Sequence, residues 1–262
     1  MLQSSSNPHR AQRVAARPWL LVLAVLFICA TAQNAAAVTI DATDRGWYGD
    51  NGTHRPAILN YLAGDCDGTT CVAGASTGID EFRNFFVFDL SGVTAPIGAA
   101  KLRLHNTAGV APFPNRDGFF SDVGSETYLV SQVSTSIASL VAGTGGIAAF
   151  NDLGIGATFG TFTATPADNG TFVEINLNGA AIAALNQASG LFAFGGAIAT
   201  LNGTPDEETL FAFSDAGNLS DTQLELTVVP EPSTVLLLAA AIALLGALRT
   251  RRAPVPLTVR GR

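Results

Sequence analysis

Three features of the sequence predict an all-β fold, a β-sandwich with one or two short helices, set between an N-terminal signal helix and a C-terminal transmembrane helix. Short runs of aromatic and β-branched residues recur through the middle of the chain with Gly, Asn and Asp at the junctions, the pattern of strands joined by tight turns. Two segments instead carry apolar residues at helical spacing. An uncharged apolar run lies near each end, outside that pattern.

At the N-terminus Arg10, Arg13 and Arg17 precede the apolar run 19–30, and small residues then end in Ala35-Ala36-Ala37. This is the order of a secretory signal peptide over 1–37, with cleavage expected after Ala37 and, as the nearest competitor, after Ala32. Cys29 follows Ile28, where a lipidated cysteine requires a small residue, so it is expected to leave with the signal. Residues 38–228 then form one extracellular domain, long enough to bury a core without staples. Cys66 and Cys71 lie there in a Gly/Asp/Thr-rich segment, and in an oxidising compartment they read most simply as a local Cys66–Cys71 disulfide. Metal ligation is the alternative, with no third cysteine or neighbouring histidine to support it.

The run 83–89 (RNFFVFD), stopped by Ser91-Gly92, is an aromatic and β-branched strand, and 99–104 alternates Leu102 and Leu104 against Lys101 and Arg103. Further strands are expected at 127–133, 157–163, 172–176, 191–199, 208–213 and 223–228. Ile137, Leu140 and Val141 in 134–141, and Ile182 and Leu185 in 179–187, sit at helical spacing. Asn178 serves as an N-cap, Gly143 and Gly190 as stops, and both helices are expected to bridge the sheets.

Beyond residue 228, Val229-Pro230-Glu231-Pro232 ends the last strand, because each proline fixes φ and removes a backbone donor, while Pro232 is pre-set for the first turn of a helix. Nothing ionises over 233–248. As a helix this run spans about 24 Å, against a hydrocarbon core of roughly 30 Å. Arg249, Arg251 and Arg252 follow as a membrane stop, which leaves 253–262 as a cytoplasmic tail and everything upstream outside. The residues alone also describe an ordinary C-terminal anchor.

Charge separates the ends from the middle. The whole chain has 14 Lys+Arg against 21 Asp+Glu, a net charge of −7. Within 38–228 only six of those cations remain (Arg45, Arg55, Arg83, Lys101, Arg103 and Arg116) against 20 of the acids, giving −14. Such a surface repels nucleic acid and anionic lipid and favours solubility or divalent cations.

The segment 229–252, with Val229 to Pro232, the apolar run and the arginine cluster in that order, resembles the PEP-CTERM sorting signal of Gram-negative bacteria. In that family the Pro-Glu-Pro tripeptide (here Pro230, Glu231 and Pro232) is read by an exosortase, a membrane cysteine protease that cleaves near it. The resemblance implies an inner-membrane-anchored precursor, an exosortase-type processing partner, and delivery to the cell surface or extracellular matrix. The order of 83–90 (RNFFVFDL), 97–104, 173–177 before a short helix, 191–195, 210–214 and 224–228 is similar to DNRLRE-type modules, extracellular jelly-roll domains related in shape to galactose-binding-like and carbohydrate-binding modules. It implies a jelly-roll-like sandwich and an extracellular polysaccharide partner, and no binding residue is carried across from it.

Motifs for catalysis lack their context. Residues 74–78 satisfy G-x-S-x-G, yet a Cys/Gly/Asp loop precedes them and the Phe-rich strand follows, where a nucleophile elbow needs a strand and then a helix. Residues 143–146 (GTGG) follow an expected helix and are not expected to open another, so no phosphate cradle is read there, nor at 154–157. His54 and His105 have no His or Glu at ligand spacing, and no catalytic residue is assigned. Asp65 and Asp67 stand at alternate positions before Gly68, a candidate for a structural Ca²⁺, against the alternative of solvated turns. Trp47 and Tyr48, with Asp44, Asp50 and Arg55, are the candidate sugar-stacking platform; the alternative is that Trp47 fills the core beside Phe85 and Phe88. The resulting expectation is an exported, non-enzymatic surface or matrix protein, carbohydrate-binding or structural. Its rival is a secreted glycan-active enzyme with paired carboxylates and a C-terminal membrane anchor.

Overall fold

The aromatic run at 83–89 lies in a strand, Glu81–Asp89, whose alternation decides the architecture. The computed structural model describes residues 36–55, 60–65, 81–109, 117–202, 208–212, 214, 218–229 and 241–242. In chain order the strands are β1 (Ala36–Asp41), β2 (Asp44–Gly49), β3 (His54–Arg55), β4 (Ala63–Asp65), β5 (Glu81–Asp89), β6 (Ile97–Asn106), β7 (Glu126–Gln132), β8 (Thr158–Ala164), β9 (Thr171–Asn176), β10 (Leu191–Ile198), β11 (Thr209–Leu210) and β12 (Thr222–Val228). The helices are α1 (Ile137–Ala142), α2 (Gly146–Ile155) and α3 (Gly179–Gln187). All of these belong to one compact unit, Ala35–Val229.

The strands form two antiparallel sheets, a sandwich as expected. The smaller has the order β1-β12-β6-β9 and the larger β11-β4-β5-β10-β7-β8, with β2 pairing β5 and β3 pairing β2. In the larger sheet β2 lies along one side of β5, while β10 and then β4 pair with it. Phe86 and Phe88 point into the sandwich, where they join Phe194 and, from the facing sheet, Leu102, Leu104, Ile175, Leu224 and Leu226. Successive side chains of a strand point to opposite faces, so Phe85 and Val87 face outward. There they are covered by Leu140 of α1 and by Ala149, Phe150 and Leu153 of α2.

That second apolar face corrects the expected placement of the first helix. Instead of bridging the sheets, α1 and α2 roof the outer face of the larger one; α3 does bridge, touching β6 and β8 and burying Ala181 and Leu185. The cap at Asn178 is as expected, its side chain accepting from the Ala180 and Ala181 N–H groups, and Gly143 ends α1 at φ 71°. α3 stops at Ala188, before Gly190. Contrary to the expectation for 143–146, Gly146 is the first residue of α2. Its N-cap, Gly145, makes no side-chain hydrogen bond, so the usual Ser/Thr/Asp/Asn start signal is missing. Asp152 of α2 reaches back to the entry of α1 instead, accepting from Ser134 N at 2.8 Å, Thr135 N at 2.6 Å and Ser134 Oγ at 2.6 Å. Burial works to raise the pKa of this carboxyl, but the hydrogen bonds outweigh it and hold Asp152 below the usual range.

Four strands before β5 were not expected. β3 can pair with β2 because position 46 is glycine: a Cβ there would lie 2.2 Å from the Arg55 carbonyl oxygen. β1 begins at Ala36, inside the segment read as signal peptide, and pairs Ala36 with Val228 and Ala37 with Thr227. The strand expected at 208–213 shrinks to β11, since Phe211 takes φ 59° to bury its ring against Tyr61 and Tyr128. Among the described residues no helix is long and apolar enough to cross a membrane. The expected signal helix and the 233–248 helix lie outside the described residues, apart from Ala241 and Ile242, which are helical.

Because β5 is covered on both faces, Phe85→Ala and Phe86→Ala should each destabilise the fold by ~3–5 kcal/mol, read from the urea midpoint. A strand covered on one face only would show that loss for one of the two.

Candidate functional site

The candidate platform on β2 does not exist as a surface. Trp47 pairs in register with Asn84 and Tyr48 with Arg83, so consecutive aromatics of one strand lie on opposite faces of the sheet. Trp47 is 1% exposed, meets Phe82 edge-on at 4.8 Å and donates its indole N–H to Asn60 Oδ1 at 2.7 Å. Tyr48, 0% exposed, lies beneath α1 and donates to the Ser139 and Leu140 carbonyl oxygens at 2.9 Å. Neither ring has a free face for a sugar, and the core alternative for Trp47 is the one observed, with Phe82 as its neighbour. Arg55 sits with its guanidinium 5.9 Å from the Trp47 ring centre, and Asp44 accepts from Arg45 N at 2.7 Å. Burial pushes the Asp44 pKa up against the lowering by that hydrogen bond. Asp50 lies in the turn after β2.

Asp65 ends β4 and accepts the Glu208 backbone N–H at 3.0 Å. Asp67, Cys66 and Cys71 lie outside the described residues. Among the described residues no group of three or more His, Cys, Asp or Glu side chains is arranged to hold a metal. His54 packs 4.8 Å from Tyr48 and 6.0 Å from Phe85, where burial pushes its imidazole pKa down; His105 rests on Phe172 at 5.2 Å.

Near Asp65 the structure brings together two carboxyls that the sequence did not single out, Glu126 and Glu208, both fully buried. Glu126 opens β7 on the same alternation as Tyr128 and Val130, which lie in the core. Ser121 donates to its Oε1 at 2.6 Å, and Thr200 donates to Oε2. Glu208 shares its alternation with core Leu210 and accepts from Asn202 N at 2.9 Å and from Asn202 Nδ2 at 2.8 Å. The same Asn202 amide reaches Asp122 Oδ1 at 3.1 Å. Burial pushes the Glu208 pKa up to about 7; the Asn202 hydrogen bond opposes this, and the Glu126 and Asp65 charges reinforce it. Glu208 therefore takes up its proton much nearer neutrality than an ordinary carboxyl does. Its oxygens are spent on Asn202, which makes the pair a structural tie between β11 and the loop after β10.

The outer face of the smaller sheet is different. No described residue covers it, and it holds a ladder of polar side chains. Lys101 Nζ donates to Glu174 Oε2 at 2.7 Å, and Arg103 Nε to Glu174 Oε1 at 3.2 Å. Arg103 Nη1 donates to Gln223 Oε1 at 2.8 Å and contacts Glu225 Oε1 at 3.1 Å, while Gln223 Nε2 donates to Asp41 Oδ1 at 3.1 Å. The Lys101 hydrogen bond, with the Lys101 and Arg103 charges, holds Glu174 below the usual carboxylate range. Phe172, half-buried, lies between Arg103, whose guanidinium is 4.6 Å from the ring centre, and His105. One signal in the sequence pointed here: the alternation of Lys101 and Arg103 against buried Leu102 and Leu104.

Residues 228–252 match the PEP-CTERM protein-sorting motif. Pro230, Glu231, Pro232, Arg249, Arg251 and Arg252 fall within that match and outside the described residues. The motif implies an exported surface protein whose membrane-anchored precursor is processed by exosortase, a membrane protease. No curated protein matches the chain.

The raised Glu208 pKa carries a sign. Its contribution is fully present below the ordinary carboxylate range and is lost as pH rises through about 7. Glu208→Gln, neutral at every pH, should raise the melting temperature relative to the parent at pH 8 and leave it nearly unchanged at pH 5. Thermal melts at the two pH values check this, and an equal shift at both would contradict it.

Proposed function

We propose that the exported domain is a non-enzymatic polysaccharide-binding module of the cell surface or its extracellular matrix, and that it binds through the open face of β1-β12-β6-β9. The observation that carries this reading is the ladder around Phe172. Sugar rings present C–H faces that stack on an aromatic and hydroxyls that pair with planar, bidentate side chains. Arg103, Glu174 and Gln223 are already tied to one another, so less side-chain freedom is lost on binding.

The net charge of −14 over 38–228 narrows the ligand to neutral polymers, since polyanions are repelled. The sorting motif supports the location, because a chain released beyond the inner membrane meets the polymers of the envelope. The rival glycan-active enzyme would need two carboxyls flanking an open cleft, whereas Glu126 and Glu208 are buried.

Affinity electrophoresis of the Ala35–Val229 unit through gels of hydroxyethyl cellulose, dextran or galactomannan should show retardation. Arg103→Ala or Phe172→Ala should weaken retention about tenfold, with little change in melting temperature. Absence of retention on every polymer would overturn the binding reading, and release of reducing sugar would overturn the non-enzymatic one.

A further inference from the structure

The sorting motif starts where the sheet ends. Val228, the last residue of β12, is paired with Ile97 of β6, next to an irregularity in the register, while the β1 residues beyond the expected signal cleavage pair β12 as far as Leu226, opposite Val38. Val229 still donates its backbone N–H to the Pro96 carbonyl oxygen at 2.8 Å. Its side chain lies over position 98, where a Cβ would come within 2.7 Å of Val229 Cγ2 and would have to displace it. The strand it rests on is itself pinned: Asn186 of α3 accepts from Ile97 N at 2.8 Å and donates to Ile97 O at 2.9 Å. No residue separates this anchored stem from Pro230.

Proteins that read a peptide through its backbone take it as an extended strand, with its N–H and C=O groups available. Here Val229, immediately upstream of the tripeptide, has its N–H committed to Pro96, and Val228 before it is paired with Ile97 in the sheet. We propose that Asn186, Pro96 and Gly98 are positioning residues for processing: they hold the stem of the sorting motif in the sheet, and exosortase gains the motif only when the end of β12 opens. The folded domain thereby sets the pace of its own release from the membrane. This rests on the sorting reading of 228–252. Strand ends open locally at a fraction of the global cost, so a short release is enough, and β1, exposed along most of its length, is the weaker of the two partners.

The test is a pulse-chase of the full chain in exosortase-bearing cells, with the mature C-terminus identified by mass spectrometry. A short Gly/Ser spacer between Val229 and Pro230 lies outside the sheet and leaves the fold intact. It should speed processing about tenfold, the factor for freeing one to two strand-end hydrogen bonds. Asn186→Ala, in α3 and no part of the motif, should accelerate it in the same direction, and adding the spacer to that variant should give no further gain. Spacer and parent chains processed at the same rate would overturn the proposal. Glu231→Ala processed as fast as the parent would instead overturn the sorting reading on which it rests.

Discussion

The fold depends on one strand that is apolar on both faces. β5 sends Phe86 and Phe88 into the sandwich and Phe85 and Val87 the other way, so the larger sheet cannot leave its outer face in water. α1 and α2 exist to cover it. Their placement explains the burial of Tyr48, whose hydroxyl satisfies carbonyls at the end of α1. It also explains Asp152, which ties the second helix to the entry of the first and keeps the two in register over the sheet. With that face roofed, the outer face of the smaller sheet is the sheet surface left open among the described residues. The open ladder on β6, β9 and β12 is a consequence of the aromatic run in β5.

The two sheets were legible to different degrees, for physical reasons. β5, β6, β7, β9, β10 and β12 carry alternation or aromatic runs long enough to stand out, and their observed limits lie close to the expected ones. β2 did not stand out because its strand character comes from what it touches: Asp44, Gly46 and Gly49 are poor strand formers, and Gly46 is required by the Arg55 carbonyl against it. α2 was hidden by the glycines at its start, which carry no capping side chain. β11 was overestimated, because nothing local says that Phe211 will turn into a left-handed conformation to reach Tyr61 and Tyr128.

The candidate site shows the same division more sharply. Trp47 and Tyr48 drew attention as adjacent aromatics, yet adjacency in a strand is what separates them onto two faces. Glu126 and Glu208 drew none, since a glutamate at the start of a strand, or one ending the acidic run 206–208, reads as solvated; their meeting is a long-range product of β4, β7 and β11 closing at one end of the sandwich. The sorting motif was the opposite case. It is a linear signal, and the match over 228–252 falls where the prolines, the apolar run and the arginines place it.

The position of β12 bears on the order of events during export. The last strand of the domain lies inside its sheet, between β1, the first, and β6. Until Thr222–Val228 has crossed the membrane, the smaller sheet lacks an interior member, and β1 and β6 present unsatisfied edges. The domain can therefore not finish folding while its C-terminus is still in transit, and joining the two ends of so long a chain is slow by topology alone. A chain cut short before Thr222 would emerge as an open, edge-exposed sheet, with aggregation as its readiest outcome. The segment that arrives last is the one that closes the sheet.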